Sequence, residues 1–182
     1  MKPLLEPVIE TPRLLLRPPR LRDLDDLVAG VGDLRVSRML GRVPHPYTRA
    51  DAENFLAAVK RNARSGKSLN LSIFRDGRLI GGIGTSALPA YCEFGYWLAY
   101  DAWGKGFATE AAGAVLAYGF DVLGLGLIRS GILAGNTASM RVQVKLGFRR
   151  IGISRRISLA RDAMIDHIDT VLTRARFEAL AR

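Results

Sequence analysis

Apolar and polar positions along the chain change period several times, and each change predicts an element. Arg13-Leu14-Leu15-Leu16-Arg17 is a short apolar run between arginines and predicts a strand, followed by polar turns and a helix from about Asp23 to Val31. Thr48-Arg49-Ala50-Asp51 matches a capping box, in which two side chains three residues apart satisfy each other's amides. It opens a helix that runs towards Ala63 and stops near Gly66. Leu69 to Phe74 predicts a strand, Asp76-Gly77 a hairpin turn, and Arg78 to Gly84 the returning partner. Cys92 to Leu98 continues this meander as a third strand.

Ala108 to Leu123 is apolar on most faces, which predicts a helix buried on more than one side. Gly113 and Gly119 inside it each cost about 1 kcal/mol relative to alanine, so close packing is the expected reason for them. Ile128 to Ala134 then predicts a strand, Thr137 to Leu146 a helix stopped by Gly147, and Phe148 to Ile153 and about Ile165 to Leu172 the last strands. An antiparallel meander followed by β-α-β-α-β makes a mixed α/β sheet. With no internal repeat or linker, the 182 residues predict a single domain over residues 10–175.

Composition narrows the classes. No apolar run reaches the roughly 18 residues of a membrane span, and Met1-Lys2-Pro3-Leu4-Leu5-Glu6 lacks the apolar core of a secretory signal. The expectation is a cytoplasmic protein without a membrane partner. The lone Cys92 excludes a disulfide framework, and His45 and His167, far apart and without cysteines, argue against a metal site. Lys+Arg number 27 against 17 Asp+Glu, a formal charge of +10, which favours anionic partners: nucleic acid, ribosomes or a phosphorylated cofactor. The basic residues are scattered and follow no nucleic-acid-binding signature, so direct nucleic-acid contact is not expected. Gly82-Ile83-Gly84-Thr85-Ser86-Ala87 fits the dinucleotide pattern GxGxxG/A, but no helix follows to meet a pyrophosphate. Those glycines are expected to mark a bulge or bend.

The stretch Asp101-Ala102-Trp103-Gly104-Lys105-Gly106-Phe107-Ala108-Thr109-Glu110-Ala111 is different, because here a strand is followed by a short loop and a helix beginning at Gly106 or Phe107. Unpaired amides and the positive end of a helix dipole converge there, which suits an anion. Gly104 and Gly106 carry no Cβ, Lys105 adds a positive charge, and Thr109 offers a hydroxyl in the first turn. A tight turn alone would also account for the glycines.

"WGKGFATEA" resembles the pyrophosphate loop of the GNAT superfamily of N-acetyltransferases, Gln/Arg-x-x-Gly-x-Gly/Ala. Gly106 and Ala108 take the small-residue positions, and Trp103 stands where Gln or Arg is usual. Three further stretches resemble the RimJ/RimL-type branch, the ribosomal-protein N-terminal acetyltransferases: "ETPRLLLRPPRLRDLDDL", "CEFGYWL" and "GNTASMRVQVKLGF". The four occur in family order, and the resemblance covers roughly Glu10 to Leu172.

The resemblance implies a mostly antiparallel sheet with one splayed parallel pair, helices on both faces, and acetyl-CoA as donor without a metal. It puts the pyrophosphate at Trp103, Gly104, Lys105, Gly106, Phe107, Ala108 and Thr109, and the pantetheine along the backbone of Trp97, Leu98 and Ala99. Asn136 would hydrogen-bond the pantetheine arm, although asparagine there is also a good helix N-cap. Glu93 matches the strand glutamate that serves as base in histone-acetylating relatives, against the alternative of a strand glutamate paired with an arginine. Many relatives protonate the departing thiolate with a tyrosine where this chain has Gln143; Ser139 is the matching thiolate partner and cofactor contact, with Tyr96 as the weaker candidate. Cys92 has no histidine nearby in sequence, so direct attack on the thioester in a ternary complex is expected rather than an acyl-enzyme.

The implied acceptor is a primary amine, foremost a protein or peptide α-amine such as that of a ribosomal protein. At pH 7 an α-amine of pKa near 8 is about 10% neutral and a lysine near 10.4 about 0.04%, so the former makes less demand on a base. Leu34 to Thr48 and Ser154 to Asp166 are expected to shape the acceptor cleft, where Arg35, Arg38, Arg42, Arg155 and Arg156 would favour an acidic acceptor. A non-catalytic CoA-binding module, a small-molecule acetyltransferase and a homodimeric assembly remain open.

Overall fold

The computed structural model describes residues 7–89 and 91–180, so the reading at Met1–Glu6 lies outside the described residues. The strands are β1 (Ile9–Glu10), β2 (Leu15–Arg17), β3 (Leu69–Arg75), β4 (Arg78–Ser86), β5 (Glu93–Leu98), β6 (Leu127–Leu133), β7 (Arg149–Ser158) and β8 (Ala163–Thr173). They form an eight-stranded sheet in the order β1-β2-β3-β4-β5-β6-β8-β7. All neighbours run antiparallel except β5 and β6, which are parallel. The helices are α1 (Leu24–Gly32), α2 (Leu34–Ser37), α3 (Arg49–Arg64), α4 (Phe107–Asp121), α5 (Thr137–Lys145) and α6 (Arg174–Leu180). The mixed α/β class, the meander and the parallel pair agree with the sequence.

Strand alternation divides the helices between two faces. Phe94 and Leu98 of β5 join Ala111, Val115 and Leu116 of α4 in the main core. Trp97 turns the other way, onto Leu27 and Val31 of α1 and Ala52 of α3. Gly82 and Gly84 serve this packing, and the bulge in β4 lies two residues before Gly82, at Ile80, the extra residue between Leu79 and Gly81. The register shift lies between Ile73 and Phe74, while both glycines stay paired. A Cβ on Gly82 would stand 2.6 Å from Trp97 Nε1, and one on Gly30 of α1 2.9 Å from the same indole. Inside α4, Gly119 fits the close-packing expectation, since its Cβ would meet Ile128 at 3.3 Å; Gly113 has ordinary room.

Asp23 stands just before α1, and its carboxylate is fully engaged. It accepts from both terminal nitrogens of Arg17 at 2.8 Å and from the Arg20 amide at 2.7 Å, tying β2 to the helix. Thr48 and Asp51 do form the capping box of α3. The sequence missed β1, α2 and α6, and it ended β7 too early. Residues 154–166 are largely a paired hairpin, with Arg155 opposite Asp166 and Ile157 opposite Met164. Both faces of that hairpin are substantially exposed, so no apolar alternation announces it. Its tip docks on the segment after α2: the Leu159 amide donates to Gly41 O at 3.0 Å, and Arg161 Nε donates to Arg38 O at 2.6 Å.

Candidate active site

The parallel strands β5 and β6 share one register pair, Glu93 with Arg129, next to which the Arg129 amide donates to Cys92 O at 2.8 Å. One residue further along β6, a side chain replaces the backbone: the Ser130 hydroxyl donates to Phe94 O at 2.9 Å. Gln143 of α5, only 2% exposed, donates to Ser130 Oγ at 2.8 Å and accepts from Thr170 Oγ1 of β8 at 2.6 Å. This buried chain fixes the point where the strands part. Past it opens a cleft of about 810 Å³, in the range of small-molecule sites.

The loop into α4 lines the mouth of that cleft. Gly104 and Gly106 have φ of +74° and +83°, a left-handed backbone that side-chain-bearing residues resist. Gly106 is the N-cap of α4 and no side chain caps the helix; Glu110 N is the first amide to bond back, to Gly106 O. The amides of Phe107, Ala108 and Thr109 are left without intrahelical acceptors, as at any helix start. Phe107 anchors the turn through a buried ring flanked by the guanidinium groups of Arg13 and Arg75, each 4.7 Å from its centroid. Trp103, which replaces the family's Gln or Arg, donates its indole N–H to Leu98 O at 2.8 Å and so fastens the loop to β5. Lys105 Nζ donates to Asp101 O at 2.7 Å.

Arg13 is a site residue the sequence did not single out. Its Nε donates to Glu110 Oε2 at 2.6 Å and its Nη1 to Lys105 O at 3.1 Å, while Nη2 would lie 3.3 Å from a Cβ on Gly106. Burial pushes the Glu110 carboxyl up, but hydrogen bonds from Thr11 and Arg13 outweigh it and hold the group below its usual range. The carboxylate in the first turn is thereby neutralised by a partner. No local spacing links Arg13 to Glu110, so nothing in the sequence pattern pointed to the pair.

Along β5 the backbone groups alternate between β4 and the gap. The Ala99 amide donates to Ile80 O at 2.9 Å, and Trp97 pairs with Gly82, so both turn towards β4. Of the three residues expected along the pantetheine, only Leu98 turns to the gap; its carbonyl is held by Trp103, leaving its amide. Tyr96, two residues earlier, shares this orientation.

Tyr96 also projects its hydroxyl to the α5 side, where it shares a 3.0 Å hydrogen bond with Ser139 Oγ. Burial pushes the Tyr96 hydroxyl up and the Ser139 contact only partly offsets this, so the phenol keeps its proton. Asn136 Oδ1 accepts from Ser139 N at 3.0 Å, the N-cap alternative, which leaves its side-chain NH₂ to donate. Ser139 and Tyr96, named as alternatives from the sequence, form one pair.

Glu93 faces the opposite side, with Trp97. Its carboxylate accepts from Arg42 Nη2 at 3.0 Å and is 29% exposed, matching the arginine-paired alternative. Of the five arginines expected at the cleft, Arg42 and Arg156 line it. Arg35 instead pairs with Asp33 and lies 3.6 Å over the Tyr100 ring, and Arg155 donates to Met164 O. Cys92 is buried, and burial pushes its thiol up to about 11, so it carries no nucleophilic thiolate.

Residues 13–149 match the acetyltransferase (GNAT) domain family. The chain is 32% identical over 158 residues to YoaA of Bacillus subtilis, named an uncharacterized N-acetyltransferase, covering 82% of this chain and 86% of that one. Mycobacterium smegmatis RimJ, solved with CoA-disulfide, superposes with a TM-score of 0.78 at 24% identity over 93% of this chain and 90% of its own. Spermidine N-acetyltransferase from Vibrio cholerae, solved with CoA and spermine, gives 0.78 at 17% identity over 92% and 99%. The matched residues hold both the uncapped start of α4 and the parting of β5 from β6, and the chain belongs to the GNAT family of N-acetyltransferases.

Proposed function

We propose that this chain transfers the acetyl group of acetyl-CoA to a protein or peptide α-amine, through one catalytic domain over residues 10–175. One observation carries the donor: a glycine N-cap in a left-handed conformation opens an uncapped helix at the mouth of a splayed strand pair. Amides of residues 104–109 receive the diphosphate, with the helix dipole adding to their pull. The inward-facing groups of Tyr96 and Leu98 take the amides of the pantetheine arm, and the Asn136 NH₂ donates to it. A free amide on β5 also polarises the thioester carbonyl, the oxyanion role. Tyr96 and Ser139 donate to the departing sulfur, and Glu93 draws an ammonium group to the other face of the sheet.

That CoA accompanies both solved relatives supports the donor. For the acceptor, the larger neutral fraction of an α-amine supports a peptide N-terminus. A small amine is the second reading, favoured by the apolar wall that Tyr47, Phe55, Met39 and Trp97 give the cleft. Thiol release from acetyl-CoA tests both, with peptides bearing a free α-amine, spermidine and an arylalkylamine as acceptors. Fastest turnover with a peptide is expected. Preference for either small amine would move the acceptor class, and no release above hydrolysis with any of them would end the reading.

A further inference from the structure

One titratable side chain lining the cleft, His167, takes no part in holding the donor or the sulfur. His167 of β8 has Nδ1 2.8 Å from Asp169 Oδ1, and that same oxygen accepts the Ser154 hydroxyl of β7 at 3.1 Å. Burial pushes the Asp169 carboxyl up, but the contacts from His167 and Ser154 outweigh it and keep it ionised. An ionised partner fixes the hydrogen on Nδ1 and leaves the lone pair on Nε2. In the sheet, β6 lies between β8 and the gap. The imidazole crosses it: a Cβ on Gly131 would overlap Cε1 and Nε2 of His167. Ser130 faces α5, so Gly131 faces the other side, the side of Glu93 and Trp97. There His167, its side chain 12% exposed, lines the cleft. Glu93, by contrast, is already engaged by Arg42.

We propose that His167, aimed across Gly131 by Asp169, is the base that takes the proton of the acceptor amine. This rests on the acetyltransferase reading. Nε2 removes one proton from the ammonium group, and the freed lone pair forms the C–N bond to the thioester carbon. The C–S bond then breaks and sulfur leaves with its electron pair. The nitrogen's second proton passes to solvent, the Tyr96–Ser139 pair delivers one to sulfur and is reprotonated from solvent, and His167 returns its own to solvent, a net release of one. Asp169 is a positioning residue. The charged groups around the imidazole are Asp169 on its own strand, Arg156 on β7, and the Glu93–Arg42 pair across the gap; Asp166 pairs with Arg155. On β6 it lies against Gly131 and pairs in register with Leu133.

The test is the pH profile of kcat/KM with acetyl-CoA and two probe amines: phenethylamine, cationic near neutrality, and hydroxylamine, already neutral there. His167→Gln should slow phenethylamine about 100-fold, remove the acidic limb, spare hydroxylamine, and leave calorimetric CoA uptake unchanged. Gly131→Ala should reproduce this, and Glu93→Gln should raise KM while keeping the limb. Retention of the limb in His167→Gln, or equal slowing of both amines, overturns the proposal. Should neither amine turn over, ¹⁵N spectra of the histidines decide: a proton on Nδ1 that depends on Asp169 supports it, and one on Nε2 overturns it. Absence of CoA uptake by the unmodified chain would instead remove the acetyltransferase reading on which it stands.

Discussion

Gln143 occupies the position where many GNAT relatives carry a proton-donating tyrosine, and its burial gives it a different task. It is the middle of the chain from Thr170 through Ser130 to Phe94 O, with contacts of 2.6, 2.8 and 2.9 Å. Replacing it with leucine keeps the approximate volume but leaves the Thr170 hydroxyl, in a residue 5% exposed, without an acceptor. Ser130 loses one of its two partners. A buried polar group stripped of its partner costs about 1–3 kcal/mol, and one Ser130 bond survives, so Gln143→Leu should destabilise by about 2–4 kcal/mol. For a chain of this size that is a fall of about 5–15 °C in the melting midpoint. The assay is urea unfolding with circular dichroism. Replacing all three side chains, as Gln143→Leu with Ser130→Ala and Thr170→Val, should recover part of the loss, because no group is then left wanting a partner. A Gln143→Leu loss below about 0.5 kcal/mol would refute the view that this network holds the splay.

Three further outcomes follow from the geometry. Burial pushes the Asp23 carboxyl up, but Arg17 and the Arg20 amide outweigh it and hold it below the usual range. Its stabilisation is therefore present above the unfolded value of about 3.9 and lost as pH falls through the folded one. Asp23→Asn should cost about 3 kcal/mol near neutrality and converge with the unmodified chain in acid; a constant gap across urea titrations would contradict this. Cys92→Ala should keep kcat, and Cys92 should resist iodoacetamide until the chain unfolds; rapid alkylation of the native protein would show the thiol to be accessible and ionised. Tyr96→Phe and Ser139→Ala should each lower kcat about 100-fold, leave CoA affinity unchanged, and combine less than additively because they share one hydrogen bond; additive losses would deny that they act as a pair.

Elements with a strong local signal are legible in the sequence. The capping box at Thr48, the hairpin at Asp76-Gly77 and the glycine-rich entry into α4 each rest on residues a few positions apart, and each is present. Besides the short helices α2 and α6, what escaped depends on contacts distant in sequence. Arg13 meets Glu110, and Ser130 meets Gln143 and Thr170, with no periodicity to announce either; an arginine partner for Glu93 is legible, but not that it is Arg42. One weak signal existed: Ser130 interrupts the buried alternation of Ile128 and Ile132, and a polar residue in such a place requires partners. The glycines of β4 have a second role, beside the bulge at Ile80, that no local pattern shows. That role lies in room for Trp97 and Leu69, which only the neighbouring elements define.

Binding of CoA to the loop at α4 is the claim on which the chemistry depends, and titration calorimetry of purified protein with CoA, set against Gly106→Ala, tests it most directly. A side chain at Gly106 must hold a φ of +83° at a cost of about 1–2 kcal/mol. One-to-one CoA uptake by the unmodified chain is predicted, weakened about tenfold or more in the variant, with pantetheine, which lacks the diphosphate, bound more weakly by both. No CoA uptake, or equal affinity in the two proteins, would contradict it.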